Sequence, residues 1–148
     1  MVKYQQENSD KEKMASMKNR EKTECEKLWT EEKYLVLSKS QNIYKQIREY
    51  LKVEPKLESL KEMIEAAKRL PENRMEGINA FQHIWGYFKK EAEPEEKIRF
   101  LELIADYQKE NIEQEAIIRY IQELLLKYPN SYLQNSSIIK EMKNKENR

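Results

Sequence analysis

Two glycines and four prolines in 148 residues leave few places for tight turns or hairpins, which draw on these residues for left-handed and fixed-φ backbone. One cysteine, Cys25, and one histidine, His83, cannot make a Cys/His zinc site or hold an iron–sulfur cluster within the chain, so no cofactor is expected. No apolar run approaches the roughly 20 residues that span a bilayer. The polar N-terminus lacks the apolar region of a signal peptide. The expectation is therefore a cytoplasmic protein with no membrane partner, in which Cys25 stays reduced.

What remains is dominated by Glu, Lys, Leu, Gln, Ile and Ala, the strong helix formers. Together with the shortage of turn residues, this predicts an all-α fold, a single compact bundle of five to six helices with short connections. With 37% charged residues and a mean hydropathy of −1.02, its core should be thin and its surface heavily solvated. Net charge is +1, but the charge is segregated. Lys33, Lys39, Lys45, Arg48, Lys52 and Lys56 face only Glu49 and Glu54 in one stretch, whereas nine acidic residues between Glu91 and Glu115 face Lys97, Arg99 and Lys109. Such polarity suits phosphate binding on one side, or is simply a set of solvated helix faces.

In chain order, residues 1–22 carry too few apolar groups to repay ordering and read as a frayed or transiently helical extension. Thr23-Glu24-Cys25-Glu26 has capping-box form, which predicts a helix start and opens a helical domain over 23–133. Ser38, Ser40 and Asn42 weaken helix preference, so a break near Ser40 is expected before Ile43, Tyr44, Ile47, Tyr50 and Leu51 resume the apolar spacing. Further helices should follow Pro55, run from about Glu72 or Asn73 to Lys90, start at Glu93-Pro94 and close at Asn111, and end at Pro129. Residues 134–148 read as a polar tail.

The stretch from Asn79 to Lys90 concentrates types that are rare elsewhere in the chain. Wound as a helix, it puts Ile78, Phe81, Ile84, Trp85 and Phe88 in one apolar sector and Asn79, His83, Gly86 and Lys90 on a second stripe. That stripe is either a recognition or acid–base site around a glycine notch, or a seam where Gly86 admits a neighbouring helix and Asn79 and His83 satisfy buried hydrogen bonds. Trp29, Tyr34, Trp85, Tyr87 and Phe88, next to Lys33, Lys89 and Lys90, could stack on bases and meet phosphates, as single-strand binders do, or could be ordinary aromatic core beside solvated lysines, the reading that the apolar sector favours for Trp85 and Phe88. Glu95, Glu96, Glu102 and Asp106 lack the Glu-x-x-His partner of di-iron bundles, so no metal site is expected there.

The pattern Leu28-Trp29, Lys33-Tyr34, Tyr44, Asn79-x-x-Gln82-His83-x-x-Gly86-Tyr87-Phe88-Lys89, Glu96-Lys97, Tyr128-Pro129 and Tyr132-Leu133 resembles the YbgA-like family, a bacterial helical domain of unknown function. The resemblance covers roughly Glu24 to Leu133. Glu32 departs from it, standing where a histidine is common. In many relatives such a domain follows a thiouracil-desulfidase-type domain that carries a 4Fe–4S cluster. The resemblance thus implies the RNA-binding part of enzymes that remove sulfur from 4-thiouridine in tRNA. On it rests the expectation of a non-catalytic RNA-binding or adaptor module for structured RNA such as tRNA. The candidate contacts are Lys33, Tyr34, Arg74, Asn79, Gln82, His83, Gly86, Tyr87, Lys89 and Lys90. Two alternatives remain: a small enzyme acting on a nucleotide or modified base through His83, and a protein-interaction module that docks a separately encoded desulfidase domain or a repair enzyme.

Overall fold

Helix α1 (Val2–Lys39) is the wall on which two hydrophobic clusters are built. In the computed structural model, which describes residues 2–140 and side chains from residue 9, it is followed by α2 (Gln41–Tyr50), α3 (Leu57–Lys68), α4 (Arg74–Trp85), α5 (Pro94–Gln108), α6 (Gln114–Lys127), α7 (Ser131–Gln134) and α8, a turn of helix at 137–140. Among the described residues there is no strand. None of their helices is long and apolar enough to cross a membrane.

The two clusters follow from helical spacing on α1. Val36 and Cys25 turn towards α2 and α3, where they meet Ile47, Leu60, Ile64 and Ala67. Tyr34 and Leu37, three residues apart, turn towards α4 to α8. On that side Phe81, Phe88, Phe100 and Tyr107 are fully buried, each contributing about 1.5–3 kcal/mol of burial. Burial, with Glu21, Glu24 and Glu26 nearby, pushes the Cys25 thiol up, so it packs as a small hydrophobe.

Several local signals act as expected. Ser40 splits α1 from α2: its side chain accepts the Ile43 amide at 3.0 Å while its own amide closes α1 on the Val36 carbonyl. Asn73 caps α4 through the Glu76 amide, and at α5 the Glu96 carboxylate reaches back to the Glu93 amide at 2.8 Å with Pro94 in the first turn. The left-handed residue that closes α5 is Glu110, φ 65°, which lets the Asn111 amide bond to the Asp106 carbonyl.

Four expectations are corrected. Among the described residues the bundle has eight helical segments rather than five to six, because the Ser40 cap divides the first helix and the C-terminal stretch forms two short ones. No helix starts at Thr23: α1 is continuous through residues 2–22, and the Thr23 hydroxyl donates to the Asn19 carbonyl one turn back, a bond of the helix interior. The helix expected to reach Lys90 ends at Trp85. Residues 134–140 are not part of a polar tail, since Ser136, Ser137, Ile138 and Ile139 are buried against the larger cluster; 141–148 lie outside the described residues.

Candidate functional site: a tyrosine cluster beside Lys33

The end of α4 decides what the central stretch presents. Beyond Trp85, the amides of Gly86, Tyr87 and Phe88 bond three residues back, to His83, Ile84 and Trp85, at 3.2, 3.0 and 2.9 Å. Three residues per turn replace 3.6, which rotates successive side chains off the α-helical stripe. Trp85 stacks on Phe100 at 4.7 Å and Phe88 is buried beside it, while Tyr87 comes out at the rim, 37% exposed.

There Tyr87 meets residues from two distant elements. Its hydroxyl lies 2.8 Å from that of Tyr34 on α1, with the rings edge-on at 6.1 Å. On its other side it stacks on Tyr132 of α7, the ring centroids 5.8 Å apart and 20° from parallel. α7 is held in place by its Asn130 cap, which accepts the Leu133 amide and lets Leu133 anchor in the core. The Lys33 ammonium sits 5.1 Å from the Tyr34 ring centroid and 4.9 Å from that of Tyr132, within cation–π range of both. Burial and the Tyr87 bond push the Tyr34 phenol far up, so it stays a protonated hydroxyl. The cluster thus offers two partly exposed aromatic side chains next to a cation.

Of the sequence candidates, Lys33, Tyr34 and Tyr87 converge here. Lys89 and Lys90 are exposed in the turn that follows, and neither forms an ion pair among the described residues. Lys90 no longer shares a stripe with Asn79 and His83, because α4 has ended. Gln82 and His83 are exposed on α4, so His83 is not a core histidine. Gly86 makes no seam: it is exposed, and only the His83 carbonyl, 3.1 Å away, lies near where a Cβ would stand. Asn79 is half-buried, with its amide nitrogen buried and unpaired among the described residues. One cavity lies between α1 and the α2–α3 turn and another beside Leu126, and Asn79, His83 and Lys90 line neither of them.

Arg74 serves elsewhere. Its guanidinium donates to the carbonyls of Tyr107 and Ile112 at 2.8 and 2.9 Å, pairs with Glu113 at 3.2 Å and covers the Tyr107 ring at 4.5 Å. It therefore clamps the α5–α6 turn to α4 and has little left for a phosphate. Glu32, where the family resemblance leads one to expect a histidine, accepts from Ser137 at 2.8 Å and pairs with Lys68 at 3.3 Å, binding α1 to α3 and α8.

Sequence reasoning named Tyr132 only as part of a family pair and did not join it to Tyr87, 45 residues earlier; the Asn130 cap was the local sign that it sits on a fixed turn of helix. No group of three or more potential metal ligands occurs among the described residues. A family profile described as "Protein of unknown function (DUF1722)" matches residues 33–142. The chain belongs to this family. The DUF1722 match begins at Lys33 and takes in all four residues of the tyrosine cluster, together with Ile138 and Ile139. No curated protein and no solved structure matches the chain.

Proposed function

We propose that the chain is a non-catalytic RNA-binding module whose ligand is structured RNA such as tRNA, in the manner of the YbgA-like accessory domain it resembles. The observation that carries this reading is the stacked Tyr87–Tyr132 pair, partly exposed and flanked by Lys33. A flat aromatic face beside a cation suits an unpaired base and its phosphate, because every base has a face that can stack and every linkage a charge. Tyr34 works from below, its hydroxyl bond holding Tyr87 in register. Lys89 and Lys90, exposed just past Tyr87, supply further charge for the backbone.

Fluorescence anisotropy with labelled tRNA at several salt concentrations tests it. Wild type should bind at micromolar protein and weaken steeply with salt. Tyr87→Ala and Tyr132→Ala should each lose about 1–3 kcal/mol of binding, while a Lys89→Ala/Lys90→Ala variant should show a shallower salt dependence. Tyr87→Phe keeps the stacking face but gives up the bond to Tyr34, so its affinity should fall between those of wild type and Tyr87→Ala. Wild type that shows no salt-sensitive binding refutes the proposal.

A further inference from the structure

A cleft of about 500 Å³ separates the middle of α1 from the α2–α3 turn. Lys18 and Lys22 stand on one wall and Lys52 and Lys56 on the other, with Glu21 and Glu54 the only carboxylates in the lining. Those two acids are unequal. Glu21 belongs to the fold: it accepts the Leu57 amide at 2.8 Å, serving as the cap that α3 lacks from its own Lys56. Glu54 pairs with Lys18 at 3.5 Å where both side chains are more than half exposed, and such a pair contributes about 0–1 kcal/mol. Lys52 is likewise held only by the exposed Glu49, and Lys22 forms no ion pair among the described residues. Lys56 lies 3.9 Å from Glu21, so the cleft keeps Lys22 unpaired among the described residues and Lys18 and Lys52 in exposed, cheaply released pairs.

Its position relative to the tyrosine cluster follows from helix geometry. Lys22 and Lys33 are eleven residues apart on the uninterrupted α1, which brings them about 20° from eclipsed after three turns and about 17 Å apart along the axis. They lie along one stripe of one rigid element. A phosphate chain leaving the cluster along α1 meets the cleft next.

We infer that this cleft is a second phosphate-contacting site, taking backbone phosphates of the same RNA that stacks on Tyr87 and Tyr132. The inference rests on the RNA-binding reading, and extends the ligand's footprint from the tyrosine cluster along α1 to the α2–α3 turn. The contact is one of charge: the lysines replace condensed counterions, so it should show mainly in the salt dependence of binding.

The test is the slope of log affinity against log salt for labelled tRNA, measured on wild type, Lys22→Ala/Lys52→Ala, Lys22→Arg/Lys52→Arg and Lys89→Ala/Lys90→Ala. The alanine pair in the cleft should lower the magnitude of the slope by about 1.5, with an unchanged thermal midpoint, and the arginine pair should keep the wild-type slope. A wild-type slope in the cleft alanine pair, alongside a reduced slope in Lys89→Ala/Lys90→Ala, overturns the cleft and leaves the RNA reading intact. Absence of wild-type binding overturns both.

Discussion

Gly77→Ala puts a single methyl group against Tyr107, a fully buried aromatic side chain of the core. On α4, that Cβ would lie 3.0 Å from the Tyr107 hydroxyl oxygen, 3.4 Å from its Cε2 and 3.6 Å from the Gln114 amide nitrogen. Tyr107 is fully buried; its hydroxyl donates to Glu72 at 2.8 Å, Arg74 covers one face at 4.5 Å, and Phe81 meets it edge-on at 6.4 Å. The ring cannot retreat without giving up one of these. Alanine gains about 1 kcal/mol of helix propensity over glycine. Against that stand about 1–3 kcal/mol for overpacking and, once the hydroxyl is displaced, about 1.5–3 kcal/mol for a hydrogen bond to a charged group. The net expectation is a loss of about 3 kcal/mol, which in a chain of 148 residues lowers the melting midpoint by about 6–12 °C. Urea and thermal unfolding measure it, with two comparisons. Gly86→Ala, which meets only the His83 carbonyl and has α-region φ −52°, should range from neutral to about 1 kcal/mol more stable. Tyr107→Phe in the Gly77→Ala background should recover part of the loss, as a double-mutant cycle would show. Gly77→Ala as stable as wild type would refute the close-approach argument.

Two further outcomes concern charge. Arg74→Ala leaves the Tyr107 and Ile112 carbonyls without their charged donor, so it should destabilise by about 3 kcal/mol, with Arg74→Lys recovering little because an ammonium cannot fork to both; a large loss of tRNA affinity without loss of stability would show instead that Arg74 contacts RNA. Glu96 is held below the usual carboxylate range by the Glu93 amide first, then by the Tyr128 hydroxyl at 2.7 Å and the Lys127 ammonium. With its folded value depressed, its stabilisation is complete above the unfolded carboxylate range and disappears as pH falls through the folded value. Glu96→Gln should thus be less stable than wild type at neutral pH, with the gap closing in acid; a gap independent of pH in denaturation curves contradicts this.

The sequence by itself determined the helical class, the break at Ser40, the helix start near Asn73, the cap at Glu93, and the apolar sector of Ile78, Phe81, Ile84, Trp85 and Phe88, which is buried as the spacing predicts. These features depend on neighbours within about one turn, so propensity, capping and periodicity suffice to read them. Tertiary structure decided the rest. α4 stops at Trp85 as Trp85 packs on Phe100, and that ending, invisible to a 3.6-residue period, dissolved the Asn79–His83–Gly86–Lys90 stripe and turned Tyr87 to the rim. Arg74 looked like a surface cation until the α5–α6 turn, over 30 residues away, supplied two carbonyls and a carboxylate. Ile138 and Ile139 follow a run of polar residues and gain a hydrophobic partner only from the core that α4 to α6 build. The tyrosine cluster joins positions 53 and 45 residues apart through one hydroxyl bond and one stacked pair; its parts were legible as residue types, but their convergence is a property of the packed bundle.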